Sequence, residues 1–291
     1  LKRKKKKEKR ETPPVSKYAV LGNPVSHSKS PLIHSLFAEQ TGQAMSYLAI
    51  PLEENEFEGF VRNFFAGGGG GLNVTVPFKE NAFTLAASCS PRAQLAQAVN
   101  TLFLDDNGDI CGDNTDGVGL VTDLKLNNKV TIRGQRVLAL GAGGAVRGIM
   151  ASLVHEQAAA ITIVNRTVSK AGLLAKEMQS IAPIEVMSYE MLQESADSGR
   201  SYDLIINGTS SSLHGKLPSL DARLIAPGCC CYDLMYSATD TPFVQWAKQE
   251  GATQSIDGLG MLVEQAAEAF ALWRGVRPNT APVMAHLRDQ A

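Results

Sequence analysis

Residues 136–140 form an apolar run that passes straight into Gly141-Ala142-Gly143-Gly144 and then into a helical pattern reaching about residue 156. A strand, a glycine turn and a helix in that order admit few folds. The turn brings the first N–H groups of the helix to the carboxyl end of the strand, where a pyrophosphate can be held. The strict G-x-G-x-x-G spacing fails at its third glycine, which is Val146. A glycine turn that only lets helix and strand pack closely would read the same way. The pattern then continues with a strand at 160–164, a helix at 168–179, and strands at 184–187, 203–206 and 229–234. That alternation is a doubly wound α/β unit.

The chain before this unit alternates in the same way. Strands are expected at 18–21, 45–50 and 72–76, and helices from Ser30-Pro31, over 54–65 and from about Lys79. Ser30 reads as N-cap and Pro31 as the first helical residue. Strands separated by helices predict a parallel sheet. Gly67 to Gly71 are five consecutive glycines that suggest local mobility, and Asp106-Asn107-Gly108 reads as the turn of a hairpin, 100–104 with 109–111. A helix at 118–126 opens the nucleotide unit, and a last helix at 261–273 returns to the first domain with Leu262, Ala266, Ala269, Phe270 and Trp273 on one face.

The expected fold class is therefore α/β with two domains. An N-terminal α/β substrate domain, 16–115 completed by 258–291, faces a Rossmann-like doubly wound domain, 116–257, across a cleft. With 44% hydrophobic residues over 291 positions, general disorder is excluded. No apolar run approaches the roughly 20 residues a spanning helix needs, so no membrane role is expected.

The formal charge of −1 hides an asymmetry: Leu1 to Thr12 hold eight basic and two acidic side chains, leaving 20 basic against 27 acidic in the rest. The acidic body is a poor nucleic-acid binder. The head has no apolar stretch behind it, only Pro13-Pro14, and residues 1–15 read as a disordered basic extension. The five cysteines include the consecutive Cys229, Cys230 and Cys231, whose side chains alternate across a strand. They suit a reducing, cytoplasmic compartment, and their spacing matches no zinc motif, so no metal is expected.

Four segments can carry chemistry. Asn165-Arg166-Thr167 stands 24 residues after Gly141, where an NAD enzyme places an acid on the ribose. With Ser169 and Lys170 these residues suit a 2′-phosphate instead, which favours NADP; the alternative is a helix start with Thr167 as cap and Lys170 solvated. Ser26-His27-Ser28-Lys29-Ser30 sets hydroxyls beside a helix N-terminus, as a carboxylate site or an ordinary serine turn, and His27 receives no role. Asn73-Val74-Thr75-Val76-Pro77-Phe78-Lys79 delivers Lys79 to a strand end, and Asp113-Asn114-Thr115-Asp116 delivers a carboxylate near the domain junction. A Lys beside a carboxylate in a cleft can move a proton to or from an alcohol. Spacing alone leaves open an exposed Lys at a helix start and an Asp that caps the next helix.

Taken in order, these segments resemble the NADP-dependent, biosynthetic shikimate dehydrogenase family. The resemblance rests on Gly22-Asn-Pro-Val-Ser-His-Ser-Lys-Ser-Pro31, the Asn73 to Lys79 segment, Ala98-Val-Asn-Thr101, Gly112-Asp-Asn-Thr-Asp-Gly117, Gly141 to Ala145, Asn165-Arg-Thr167, Tyr232-Asp-Leu-Met-Tyr236 and Asp257-Gly-Leu-Gly-Met-Leu-Val-Glu-Gln265. It spans residues 18 to about 275. The resemblance implies reversible reduction of 3-dehydroshikimate to shikimate by NADPH. Lys79 and Asp116 would be the catalytic pair. Ser26 and Ser28 would hold the substrate carboxylate with Thr75 and Tyr236 near it, and Asn100, Asp116 and Gln265 would hold ring hydroxyls.

By the same likeness Gly141, Ala142, Gly143, Gly144 and Ala145 would meet the pyrophosphate, and Asn165, Arg166, Thr167, Val168, Ser169 and Lys170 the adenosine 2′-phosphate end. Leu234 and Gly258 would lie near the nicotinamide, and Asn207-Gly208-Thr209-Ser210 would line the same cleft. Two positions depart from the family pattern: Gly208 replaces a common Ala, and Ser90-Pro91-Arg92 replaces a stretch that often reads Thr-Glu-Arg. The resemblance allows a homodimer. The rival readings are a quinate/shikimate dehydrogenase using NAD or NADP, against which Ser26 and the 165–167 pocket argue, and a non-catalytic shikimate-pathway sensor, against which Lys79 and Asp116 argue together.

Overall fold

A computed structural model describes residues 15–178, 181–209, 217 and 219–290. The basic extension expected at 1–15, Val15 apart, lies outside the described residues, as does Ser210.

The first sheet contains β1 (Ser16–Gly22), β2 (Met45–Pro51), β3 (Gly69–Val74), β4 (Ser88–Cys89), β5 (Thr101–Leu104) and β6 (Ile110–Asp113), in the order β2-β1-β3-β5-β6-β4. It is mixed rather than parallel throughout. β1 pairs parallel with β2 and β3, but β5 runs antiparallel to β3, and the hairpin around Gly108 (φ +86°) then turns the chain back so that β6 runs antiparallel to β5. One face packs on α2 (Phe57–Ala66), α3 (Lys79–Leu85) and α4 (Pro91–Ala96) through Leu21, Val61, Leu72 and Ala82. The other face carries Tyr18, Val20 and Tyr47 and lies under α1 (Ser30–Thr41).

Two local expectations change. Ser30 is not the cap of α1: Lys29 holds that position without a side-chain cap, and the Ser30 N–H donates to Oγ of Ser28 at 3.2 Å. The third strand starts three residues earlier than expected, so that Gly69, Gly70 and Gly71 of the glycine run belong to β3. A Cβ on each would fall inside the rings of Phe64, Tyr18 and Trp273 respectively, so absent side chains make room for aromatic packing.

The second sheet is parallel throughout: β7 (Arg136–Leu140), β8 (Ala160–Val164), β9 (Ile184–Met187), β10 (Tyr202–Asn207), β11 (Ile225–Asp233) and β12 (Gln254–Ile256), in the order β12-β11-β10-β7-β8-β9. The order reverses at β7, which is the doubly wound arrangement with its switch point beside the glycine turn. α5 (Asp116–Thr122), α6 (Gly144–His155) and α7 (Val168–Met178) cover one face; α8 (Tyr189–Asp197) and α9 (Pro242–Gln249) cover the other. Cys230 faces the first of these cores, and Cys229 and Cys231 face the second, as strand alternation requires. α10 (Leu259–Arg274) then packs on α1, with Phe270 5.7 Å from Phe37 ring to ring, and α11 (Ala281–Asp289) closes that layer through Val283 and Leu287.

Candidate active site

A cavity of about 400 Å³ opens where the carboxyl end of β3 faces the start of α6 and the loop after β11. Parallel strands aim their carboxyl ends and the following helix N-termini at one edge, so a ligand reaching either sheet meets donors from both. Lys79 enters this cavity from the first turn of α3, and Asp116 from the first residue of α5.

The two side chains meet: Lys79 Nζ lies 2.5 Å from Asp116 Oδ2, and only 14% and 8% of the respective side-chain surfaces is exposed. The second carboxylate oxygen is also held. Asn100 Nδ2 donates to Asp116 Oδ1 at 2.8 Å and to Thr115 Oγ1 at 2.9 Å, and lies 3.4 Å from Gln265 Oε1. Behind Asn100 the amide of Asn73 donates to Asn100 O and Thr101 Oγ1, both at 3.1 Å, and its own Oδ1 accepts from the Tyr47 hydroxyl at 2.7 Å. This buried chain determines which amide atom faces which neighbour.

Around the pair the structure brings together Ser28, Thr75, Tyr236 and Gln265 from the expected substrate residues, and Ala145, Leu234 and Gly258 from the expected cofactor residues. Burial raises the Tyr236 hydroxyl pKa, offset in part by a hydrogen bond to the Lys29 backbone. Ser26 is exposed and stands outside the cavity lining. His27, Asn73, Met235 and Leu262 also line it. Of these, Asn73 was legible as the first residue of the segment ending at Lys79, while Met235 and Leu262 carry no chemical signal in sequence.

The glycine turn suits an anion. Gly141 takes φ +104°, and a side chain there would press on the Gly208 carbonyl at 3.1 Å. Gly143 caps α6 with no side-chain hydrogen bond, and nothing lies within 4 Å of where its Cβ would be. The first N–H groups of α6 are therefore not taken up by a side-chain cap. Arg166, Thr167, Val168, Ser169 and Lys170 are exposed beyond the carboxyl end of β8, and Asn165 Nδ2 tethers this loop to Thr167 O at 2.8 Å. These donors match a phosphate-rich dinucleotide bearing a second phosphate on its ribose.

The Ser90-Pro91-Arg92 departure has a structural role. Ser90 caps α4, Pro91 opens it, and Arg92 pairs in a fork with Asp113 at 2.6–2.7 Å and reaches Glu268 on α10 at 3.1 Å. Burial alone would raise the Asp113 pKa, but Arg92 and Ser90 hold it below the usual carboxylate value. Among the described residues no group of three or more His, Cys, Asp or Glu is placed to hold a metal ion, and no helix is long and apolar enough to cross a membrane.

Comparison with known proteins agrees in three stretches. Residues 20–102 match the shikimate dehydrogenase substrate binding domain, 124–215 the shikimate / quinate 5-dehydrogenase family, and 258–288 the shikimate 5′-dehydrogenase C-terminal domain. The shikimate dehydrogenase (NADP(+)) of Cellvibrio japonicus is 53% identical over 94% of this chain and 97% of its own length. Among solved structures, an Ael1 enzyme from Pseudomonas putida superposes with a TM-score of 0.86 at 44% identity, covering 94% of this chain and 98% of that one. The shikimate 5-dehydrogenase of Thermus thermophilus, solved with NADP(H) and shikimate, superposes with a TM-score of 0.82 at 31% identity over 95% of this chain and 100% of its own.

Proposed function

We propose, from the premise that the chain belongs to the shikimate dehydrogenase family, that it catalyses the reversible NADPH-dependent reduction of 3-dehydroshikimate to shikimate. The observation that carries this is the Lys79–Asp116 pair, 2.5 Å apart in a cavity whose other wall is the start of the nucleotide helix. When bound, NADPH supplies the hydride.

The residues of the chain supply the rest. A hydride added to a carbonyl carbon leaves negative charge on oxygen. Lys79 stabilises that charge as an ammonium and passes its proton to the new alkoxide; in the reverse direction it takes the proton from the alcohol. Asp116 orients Lys79 and, with Asn100 and Gln265, accepts or donates to the ring hydroxyls. Ser28, which lines the cavity, holds the substrate carboxylate with Thr75 and Tyr236, and the N-terminus of α1 beside it favours an anion; Ser26, exposed outside the lining, keeps a part in this only through the family likeness.

In the same proposal Gly141 to Ala145 hold the pyrophosphate, Asn165 to Lys170 the 2′-phosphate end, and Leu234 and Gly258 border the nicotinamide. The separate cores of the two sheets, and the packing of α10 and α11 on α1, support the domain division of 16–115 with 258–291 against 116–257, although Met261 of α10 also reaches the core of the second sheet. Five free thiols support a cytoplasmic setting. A homodimer belongs to this reading too, supported by the open edge of β2 with its exposed Leu48 and tested by sedimentation.

The test of activity is nicotinamide absorbance with purified protein, crossing shikimate or quinate with NADP or NAD. Rapid reduction of NADP by shikimate alone is expected. Silence in all four, with the protein folded, would favour a non-catalytic sensor.

A further inference from the structure

Both members of the Lys79–Asp116 pair lie against one face of α6, the helix that follows the glycine turn. A Cβ on Gly144 would sit 3.9 Å from Lys79 Cδ. One turn later, a Cβ on Gly148 would lie 2.8 Å from Asp116 Oδ2, 3.1 Å from Asp116 Cβ and 3.2 Å from Asn114 Oδ1. Oδ2 is the oxygen that meets Lys79 Nζ. Positions four apart share a helix face, so Gly144 and Gly148 together make a bare strip opposite the pair.

Neither partner of this contact yields easily. α6 is anchored by Val146, Ile149, Met150 and Leu153, all fully buried. On the opposite side the Asp116 N–H donates to Asn114 Oδ1 at 3.1 Å, Asn114 Nδ2 donates to Ala98 O at 2.9 Å, and Asp116 Oδ1 accepts from Asn100. A methyl group at 148 therefore displaces a carboxylate that is already held from behind. A general glycine-for-packing role would need only room for backbone; here the nearest atom is the one the proton-transferring Lys uses.

We infer that Gly148 is a positioning residue for the reaction: its missing side chain lets the nucleotide helix set where Asp116 Oδ2 stands, and through it where Lys79 Nζ stands. The inference rests on the reading of Lys79 and Asp116 as the catalytic pair. It predicts that Gly148→Ala in the full chain lowers kcat on the order of 10- to 100-fold, the cost of misplacing a reacting group by about an ångström. Binding of NADPH and of shikimate, measured directly, should stay within about threefold.

Two readouts separate positioning from a folding defect. With deuterium on the transferred hydride of NADPH, the isotope effect on kcat should rise in Gly148→Ala, because the chemical step has become slower; a smaller folded fraction would leave it unchanged. In an Asp116→Ala background, Gly148→Ala should change kcat by less than about twofold, since the atom it displaces is gone. If Gly148→Ala alone does not fold, the Asp116→Gly/Gly148→Ala chain should, because that change removes both Asp116 Oδ2 and Asp116 Cβ, the two atoms nearest the added methyl group, and leaves only the 3.2 Å approach to Asn114 Oδ1. Additive losses in the double variant, an unchanged isotope effect, or a double variant that still fails to fold would each overturn the inference. Near-normal turnover in Lys79→Ala would instead overturn the underlying assignment of the pair.

Discussion

Lys79 Nζ and Asp116 Oδ2 stand 2.5 Å apart although the residues come from the first turns of two helices, α3 and α5, 37 positions distant in sequence. The carboxylate is held on its other oxygen by Asn100 at 2.8 Å, so the pair is an oriented unit rather than a surface ion pair.

From this it follows that Asp116→Asn, which keeps the shape and removes the charge, should lower kcat by about 10²-fold or more, the lower range for a group assisting proton transfer. Steady-state kinetics with shikimate would show it. A variant within about threefold of the parent protein would place the work of Asp116 in binding alone.

Residues 165–170, the turn after β8 and the exposed first turn of α7, are the proposed 2′-phosphate site, and a guanidinium can hold a phosphate through paired charge-assisted bonds. Arg166→Ala should weaken NADPH by about 10- to 100-fold, the loss expected for one charged hydrogen-bond set, and leave NADH nearly unaffected. Equal losses for both cofactors would remove this account of the preference.

Gly208 and Val146 fit each other. A Cβ on Gly208 would overlap Val146 Cγ2 and come within 3.2 Å of Leu234 Cδ1. Gly208→Ala should therefore cost about 1–3 kcal/mol of stability through overpacking, and Val146→Ala in the same chain should recover most of it. Denaturant unfolding of the three variants measures this, and equal stability of the single and double variants would contradict it.

His34 is fully buried on α1, stacked on Tyr47 with ring centroids 4.2 Å apart. Burial lowers its pKa to about 3, offset only in part by Asn73. Between the ordinary His value near 6.5 and about 3, the unfolded chain binds a proton that the folded chain refuses. The stability tied to a neutral His34 is thus complete above about pH 6.5 and falls by about 1.4 kcal/mol per pH unit below it. His34→Phe should flatten that slope between about pH 6.5 and 4.5 relative to the unsubstituted protein. Parallel curves for the two would show that His34 is not the group responsible.

Much of the fold and site was legible because period and punctuation coincide. β7 and β8 match their expected bounds, and the Asn-Gly turn lies where the hairpin reverses. The strand start inside the glycine run was not legible for a physical reason: Gly69 to Gly71 make room for the rings of Phe64, Tyr18 and Trp273, and Trp273 stands some 200 positions away, invisible to any local reading. Ser30 misled because Ser28, two residues earlier, receives its N–H and displaces the expected cap. The meeting of Lys79 with Asp116 follows from the mixed order of the first sheet, where β5 and β6 insert beside β3. The lining by Met235 and Leu262 follows from how the loop after β11 and α10 turn toward the cavity, which no residue-type signal announces.

The role of Lys79 as proton donor is tested most directly by Lys79→Ala, with kcat for NADP reduction by shikimate measured beside equilibrium binding of shikimate. Turnover should collapse by about 10²-fold or more while binding changes far less, because the proton transfer exists only along the reaction coordinate. Near-normal turnover, or a loss confined to binding, would contradict it.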